Sequence, residues 1–322
     1  MRRRTGSNAR PPPIYGNGEI FMQNPAAIAV RARKTRMANN IVSYAFLLPW
    51  LAFLVVFTLY PLVYGLVMSL FNVTYRVNVF VGLANFTELL GDAMFWNAIA
   101  ATLNMCAIII PGTVVLSLWI AWTIHARSRT LKSSAKFIFY LTSVVSQVAL
   151  AIAWKFMFNP AYGLSATITQ ALGVPRLDWL GSSSLAIPLV SALVMTFAIS
   201  QPIILFASAL DGIPRDFYEV AQLEGATQGQ QFWKVTLPLI RPTMTFVLVT
   251  ATIGNLQVFV VPYLMTGGGP NYRTTTMLYM IYRNAFEFGR YGYAAAMGII
   301  LFAIIGLLVC LQYRLVNTSE QY

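Results

Sequence analysis

The sequence predicts an all-α integral membrane protein with six spanning helices and a polar elbow on one membrane face. Three observations carry this reading. Of the 322 residues, 10% are charged and 57% hydrophobic, and the mean hydropathy is +0.64, whereas an ordinary soluble domain is about 25% charged. Apolar runs of about 20 residues recur, the length a helix needs to cross a hydrocarbon core of roughly 30 Å. The Lys and Arg residues collect between these runs rather than within them.

The elements follow in order. Residues 1–40 hold "MRRR", "RPPPIYGNG" and "RARKTR" with no sustained apolar period. They read as a flexible, basic cytoplasmic arm, its prolines opposing helix. No short apolar core adjoins the leading arginines, so a secretory signal is not expected. The first span is expected over residues 43–70, with Pro49 and Pro61 inside it; membrane helices tolerate such prolines. A polar stretch with Arg76 leads to a second span, 98–124. The basic stretch "HARSRTLKSSAK" precedes a third, 137–157, and the turn-rich "NPAYGL" and "GVPRLDWLGSSS" precede a fourth, 185–209. After the elbow come a fifth span, 243–265, a "TGGGPNYRTT" loop and a sixth span, 293–312. The expected organisation is an arm over 1–40, a six-span region over 41–316 and a cytoplasmic tail over 317–322.

Six spans put both termini on one side. With the amino terminus inside, the cytoplasmic pieces carry 16 of the 22 Lys and Arg residues: eight in the arm, four after the second span, three between the fourth and fifth, and one at the end. That bias follows the positive-inside rule and sets the elbow in the cytoplasm. The net charge of +12 therefore reports topology, and no nucleic-acid partner is expected. Cys106 and Cys310 lie in apolar runs far apart in sequence, without metal-ligand or disulfide spacing.

The elbow covers about 211–241 and contains "YEVAQLEGATQGQQFWKVTLPLIRP". Asp216 and Glu219 have the spacing of an acidic capping box, and Pro214 suits a helix start. Helix is expected to about Glu224, a turn at Gly225, which tolerates left-handed backbone, and a second short helix over 227–236. Pro238 then turns the chain back to the membrane. On residues alone, this could also be an amphipathic joint whose Leu223, Phe232 and Trp233 face lipid headgroups.

Glu219-Val220-Ala221, Glu224-Gly225-Ala226 and Val235-Thr236-Leu237-Pro238 resemble the EAA signature of bacterial ABC importer permeases, with Val220 and Val235 as mild departures. The segments "VGLANFTELLGDAMFWNAIAATL", "FNPAYGL" and "LMTGGGPNYRTTTMLYMIYRNAFEFGRYGYAAAMG" resemble the sugar-importer branch, the maltose and glycerol-3-phosphate permease type. The likeness covers residues 44–315. It implies the type I ABC importer permease fold in the bacterial cytoplasmic (inner) membrane. It also implies a homologous second permease, two cytoplasmic ATPase subunits, an extracytoplasmic solute-binding protein and a sugar cargo. ATP and Mg would be used by the ATPase subunits, leaving this chain without a cofactor. By the same resemblance the elbow is the coupling-helix pair that docks in an ATPase cleft. Glu219 is its polar contact and Gly225 its turn; Ala221, Glu224, Ala226, Leu237 and Pro238 complete the motif.

Polar groups inside spans are costly and face a cavity or another helix. Thr196, Ser200 and Gln201 precede Pro202 in the fourth span, Thr196 and Ser200 sharing one face. Thr250, Thr252, Asn255 and Gln257 flank Gly254 in the fifth. Neutral amides and hydroxyls suit sugar hydroxyls, and Trp154, Phe197 and Phe259 could offer stacking faces. The resemblance places Asn255 on the family's substrate-contacting asparagine, and Thr196, Ser200 and Ile203 on its positions before the EAA loop. Hydrogen bonds that merely hold the bundle together are the competing explanation. Lys155 is expected to snorkel to the interface, and His125 to sit at the cytoplasmic one.

Three rivals stand against this. A secondary transporter would carry intramembrane carboxylates, and the six assigned spans contain none. An integral-membrane enzyme would need a nucleophile–base pair, a metal cluster or a phosphate loop, and the sequence offers no such constellation. Glycerol-3-phosphate or another anion would favour Arg or Lys along the pathway, and none is near the centre of a span.

Overall fold

The computed structural model describes residues 44–173, 175 and 177–317, with side chains to residue 314. The expected basic arm, residues 174 and 176 and most of the expected tail lie outside the described residues. The chain divides into two compact units between Leu62 and Val63, each described by itself.

The first unit contributes the start of helix α1, Tyr44–Met68, 25 residues of mean hydropathy 2.2 and wholly unburied. One π-helical turn, Val55–Leu59, interrupts it. Pro61 offers no amide to the turn behind it, and a π turn is one way a helix absorbs that loss.

The second unit holds the rest. A small antiparallel hairpin, β1 (Phe71–Val73) and β2 (Asn78–Phe80), pairs Phe71 with Phe80, an exception to the all-helical expectation. Asn85 anchors it: its Nδ2 donates to the carbonyls of Ser69 at 2.7 Å and Phe71 at 2.9 Å. Helix α2 runs Ala84–Gly91. Asp92 then caps α3, Ala93–His125, by accepting from the Met94 amide at 2.8 Å.

At 33 residues and about 1.5 Å per residue, α3 is the spine of this unit. Its buried residues recur at helical spacing along one face and enter three successive apolar clusters. Phe95 and Ala98 meet Met277 and Met297; Met105 and Ile109 meet Val190 and Val261; Leu118 and Ala121 meet Phe206, Leu210 and Val247. Gly112 faces the Met195 thioether, which a β-carbon there would displace.

The expected third span is a sharply broken pair. Helix α4 covers Arg129–Val144 and α5 covers Gln147–Met157, at 90° to each other. Most of the basic stretch before that span is helical, and Asp211 accepts from both Lys132 and Lys136. A short α6, Leu164–Ala171, follows. The fourth span comprises α7 (Ala186–Ala198) and α8 (Ser200–Asp211), bent by 50°. Pro202 cannot donate to the Ala198 carbonyl, which places the kink there.

Next come the elbow helices, α9 (Arg215–Leu223) and α10 (Gln228–Leu239). The chain turns back by 69° between α10 and α11, Arg241–Leu256, with Ile240 at the corner rather than Pro238. The expected fifth span is likewise discontinuous: α11 stops at Leu256, and α12, Val260–Thr266, restarts after three residues. Helix α13 is Met277–Tyr282, and α14, Tyr291–Asn317, ends the described chain. Three helices (α1, α3 and α14) are long and apolar enough to cross a membrane, and six spans result if each bent pair counts as one.

Candidate functional site

Two features stand out: the elbow, and a cavity where the helix breaks converge.

The elbow is a locally determined piece of backbone. Helix α9 ends in a Schellman motif. The Gly225 amide donates to Gln222 and the Ala226 amide to Ala221, both at 2.9 Å. Gly225 sits at φ +76°, the left-handed region that glycine enters without the usual steric cost. Thr227 then caps α10 with a reciprocal box: its amide donates to Gln230 Oε1 at 2.8 Å, and the Gln230 amide donates to its hydroxyl at 3.4 Å. The expected Asp216–Glu219 box does not form. Pro214 occupies the cap position of α9, without a side-chain cap bond, and Asp216 falls inside the first turn, where its charge still suits the helix dipole. A Thr-x-x-Gln box is legible in the sequence at Thr227 and Gln230.

Two polar ties hold the two limbs of the elbow together. The hydroxyls of Tyr218 and Thr236 lie 3.0 Å apart, and Gln231 Nε2 donates to the Ala226 carbonyl at 3.1 Å. Phe232 and Leu237 join the cluster at the end of α3, the Phe232 ring meeting Trp122 edge-on at 5.0 Å. The opposite side is bare. Glu219, Glu224 and Gly225 are exposed, and beside them Val220 is 59% and Leu223 89% exposed.

The cavity has a volume of about 510 Å³ and is lined from every broken span. Ser143 and Gln147 flank the α4–α5 break, Phe197 and Gln201 the α7–α8 kink, and Asn255, Gln257 and Phe259 the gap after α11. Among the described residues, everything lining it is uncharged. Asn255 is buried, and its Nδ2 donates to the Ala251 carbonyl at 2.7 Å; Gln257 Nε2 donates to Ile253 at 3.1 Å. Each bond uses one of the two N–H groups of its amide and leaves its carbonyl oxygen.

A buried hydroxyl braces the gap after α11. Thr276 Oγ1 donates to the Val258 carbonyl at 2.7 Å and accepts from the Tyr279 amide at 3.4 Å. Thr276 is fully buried, so one side chain satisfies both a carbonyl in the gap and the first turn of α13.

Some expected pathway residues lie elsewhere. Thr196 donates to its own helix at Leu193, Ile203 is fully buried, and Ser200 pairs with the hydroxyl of Thr142; none lines the cavity. The fourth-span wall of the cavity is instead formed by Val194, Phe197 and Ala198 before the kink and Gln201, Pro202 and Leu205 after it. Thr252 accepts from Gln312 Nε2 on α14 at 2.7 Å, an interhelical tie. Trp154 packs into the middle cluster, stacked on Phe158. Lys155 donates to the Leu264 carbonyl at 2.9 Å, and His125 joins an ion cluster at Asp211. A second cavity of about 360 Å³ lies between α3 and the loop before α13, lined by Asn97, Asn104, Asn271 and Arg273.

Residues 113–320 match the family described as the binding-protein-dependent transport system inner membrane component. The chain is 34% identical over 290 residues to the multiple sugar-binding transport system permease protein MsmF of Streptococcus mutans, covering 88% of this chain and 98% of that one. It is 31% identical over 282 residues to the trehalose/maltose transport system permease protein MalF of Thermococcus litoralis, covering 84% and 95%. An sn-glycerol-3-phosphate transport system permease protein, UgpA of Agrobacterium fabrum, is 31% identical over 299 residues, covering 88% and 97%. In fold, the chain is similar to the crystal structure of a bacterial ABC transporter that imports the acidic polysaccharide alginate. The TM-score is 0.77 at 24% identity, over 90% of this chain and all of that one. With its broken spans and exposed elbow, the chain belongs to the binding-protein-dependent transport system inner membrane components and is a permease subunit of an ABC importer, a transport component rather than an enzyme.

Proposed function

We propose that this subunit passes a sugar or oligosaccharide, delivered by a solute-binding protein, through a pathway that includes the cavity of about 510 Å³. The uncharged lining carries the reading. Gln147, Gln201, Asn255 and Gln257 offer donors and acceptors together, as sugar hydroxyls require, and Phe197 and Phe259 supply apolar faces. A phosphate-bearing cargo would call for Arg or Lys there. The names of the sugar-transport relatives point the same way, as does a similar structure solved with an alginate-bound periplasmic protein.

In this reading a homologous permease completes the pathway, and both termini and the elbow face the cytoplasm. Two ATPase subunits, using ATP and Mg, grip the elbow. Glu219 makes the polar contact, Val220 and Leu223 fill the cleft, and Gly225 with Ala221 and Ala226 holds the turn. Support comes from the exposure of Glu219, Val220 and Leu223, since apolar groups bared together beside a rigid turn mark an interaction surface. ATPase closure favours one arrangement of the permease pair, and release the other.

The test is uptake by the assembled importer with Glu219→Ala. Uptake should be lost while the binding protein still captures sugar; normal uptake would remove Glu219 from coupling.

A further inference from the structure

A cluster outside both sites ties the elbow to the cavity wall. Asp211, the last residue of α8, accepts from Lys132 Nζ at 2.8 Å and Lys136 Nζ at 3.0 Å. His125 Nδ1, at the end of α3, lies 3.0 Å from the same carboxylate. Lys132 and Lys136 are one turn apart on α4, so a single carboxylate clasps the lower end of that helix. At the other end, the hydroxyl of Thr142 on α4 pairs with that of Ser200, the first residue of α8. The two helices are therefore antiparallel and fastened at two points, about 16 Å apart along α8 at 1.5 Å per residue.

Both fastenings occupy informative places. Below Asp211 the chain stays tight: the amides of Gly212 and Ile213 donate back to Ser208 and Leu210. Ile213 packs in the cluster that receives Phe232 of the elbow, and α9 begins at Arg215. Above Thr142 lies the 90° break, with Ser143 and Gln147 in the cavity wall. The Asp211 and lysine side chains are 23–37% exposed, and ion pairs at such exposure contribute roughly 0–1 kcal/mol. Stability is thus a poor account of two lysines and an imidazole gathered on one carboxylate. Position is a better one.

We infer that Asp211 is a positioning residue that makes α4 and α8 one lever, carrying displacement of the elbow to the Ser143–Gln147 wall of the cavity. This rests on the elbow being the ATPase contact. When the elbow is pushed, α8 moves with it, and the clasp drags the lower end of α4. The Thr142–Ser200 tie acts as the upper hold, so the wall beyond the break turns. Without the carboxylate, Lys132, Lys136 and any protonated His125 repel, and α4 is left behind.

The experiment uses the assembled importer in proteoliposomes, with Cys106→Ala and Cys310→Ala to remove native thiols and Gln147→Cys as reporter. Labelling by N-ethylmaleimide is timed without nucleotide and with ATP plus vanadate. The Asp211 protein should change its labelling rate by about 5-fold or more between the two conditions, and Asp211→Asn or Lys136→Gln by less than about 2-fold. In both variants the ATPase subunits should still co-purify and hydrolyse ATP. Combining the two substitutions should add no further loss, because both open the same link. An undiminished response in Asp211→Asn overturns the lever while leaving the elbow reading intact. Release of the ATPase from both variants also overturns it, reducing the cluster to a support for the elbow. No nucleotide response in the Asp211 protein itself overturns the elbow reading and the lever together.

Discussion

The Ala226 amide donates to the Ala221 carbonyl at 2.9 Å across Gly225, whose φ is +76°. This bond closes α9 and aims α10, so the direction of the elbow depends on one left-handed residue. A β-carbon at Gly225 would have open space, so substitution there meets backbone strain rather than a clash. Gly225→Val should cost about 1–2 kcal/mol locally and reduce recovery of ATPase subunits with the purified permease. Gly225→Asn should retain them, because asparagine enters the left-handed region more readily. Equal recovery from both variants would show that the turn does not set the elbow.

The second control on the elbow is the Tyr218–Thr236 hydroxyl pair. Thr236 is fully buried, so Tyr218→Phe strands a polar atom at a cost of roughly 1–3 kcal/mol. Adding Thr236→Val to Tyr218→Phe should recover part of that loss, since an apolar pair needs no partner. Thermal unfolding of the purified permease in detergent checks the order: double variant above Tyr218→Phe, both below the unaltered protein.

What could be read from the sequence follows the range of the forces involved. The elbow was legible because its turn, cap and proline act over a few residues, and Gly225 lies where expected. The Thr227–Gln230 box was equally local. The acidic pair at 216 and 219 looked like a cap because nothing local revealed that Pro214 would take the cap position. The kink at Ile199 follows from Pro202, but the 90° break at Val145 and Ser146 has no proline or glycine to announce it. Asp211 finds its two lysines 75 and 79 residues earlier, a pairing only tertiary structure creates. Ser200 was placed on the right helix, but on the face that meets Thr142.

Thr276 satisfies a carbonyl in the gap after α11 and the start of α13 with one oxygen in a fully buried place. Thr276→Val keeps the shape and removes both bonds, leaving the Val258 carbonyl and the Tyr279 amide without that partner. The expected loss is roughly 1–3 kcal/mol, read as a lower thermal midpoint of the purified permease, and Thr276→Ser should restore most of it. A midpoint for Thr276→Val equal to that of the unaltered protein would mean that other groups cap the gap after α11.

Asn255 and Gln257 flank that gap from the cavity side but differ in burial. Asn255 is 7% exposed and back-bonded to Ala251, whereas Gln257 is exposed and freer to adjust to a ligand. Asn255→Ala removes a fixed donor–acceptor pair, and losing one or two kcal/mol of transition-state contact amounts to a change of about 5- to 30-fold. Uptake of any three sugars that the assembled importer carries should therefore fall unequally in Asn255→Ala, the sugar transported best losing most. Gln257→Ala should lower all three more evenly, because a mobile amide can serve any hydroxyl within reach. If Asn255→Ala leaves the ratios among the sugars unchanged, Asn255 serves only to close its helix, and selection must lie in the other amides, Gln147 and Gln201, across the cavity.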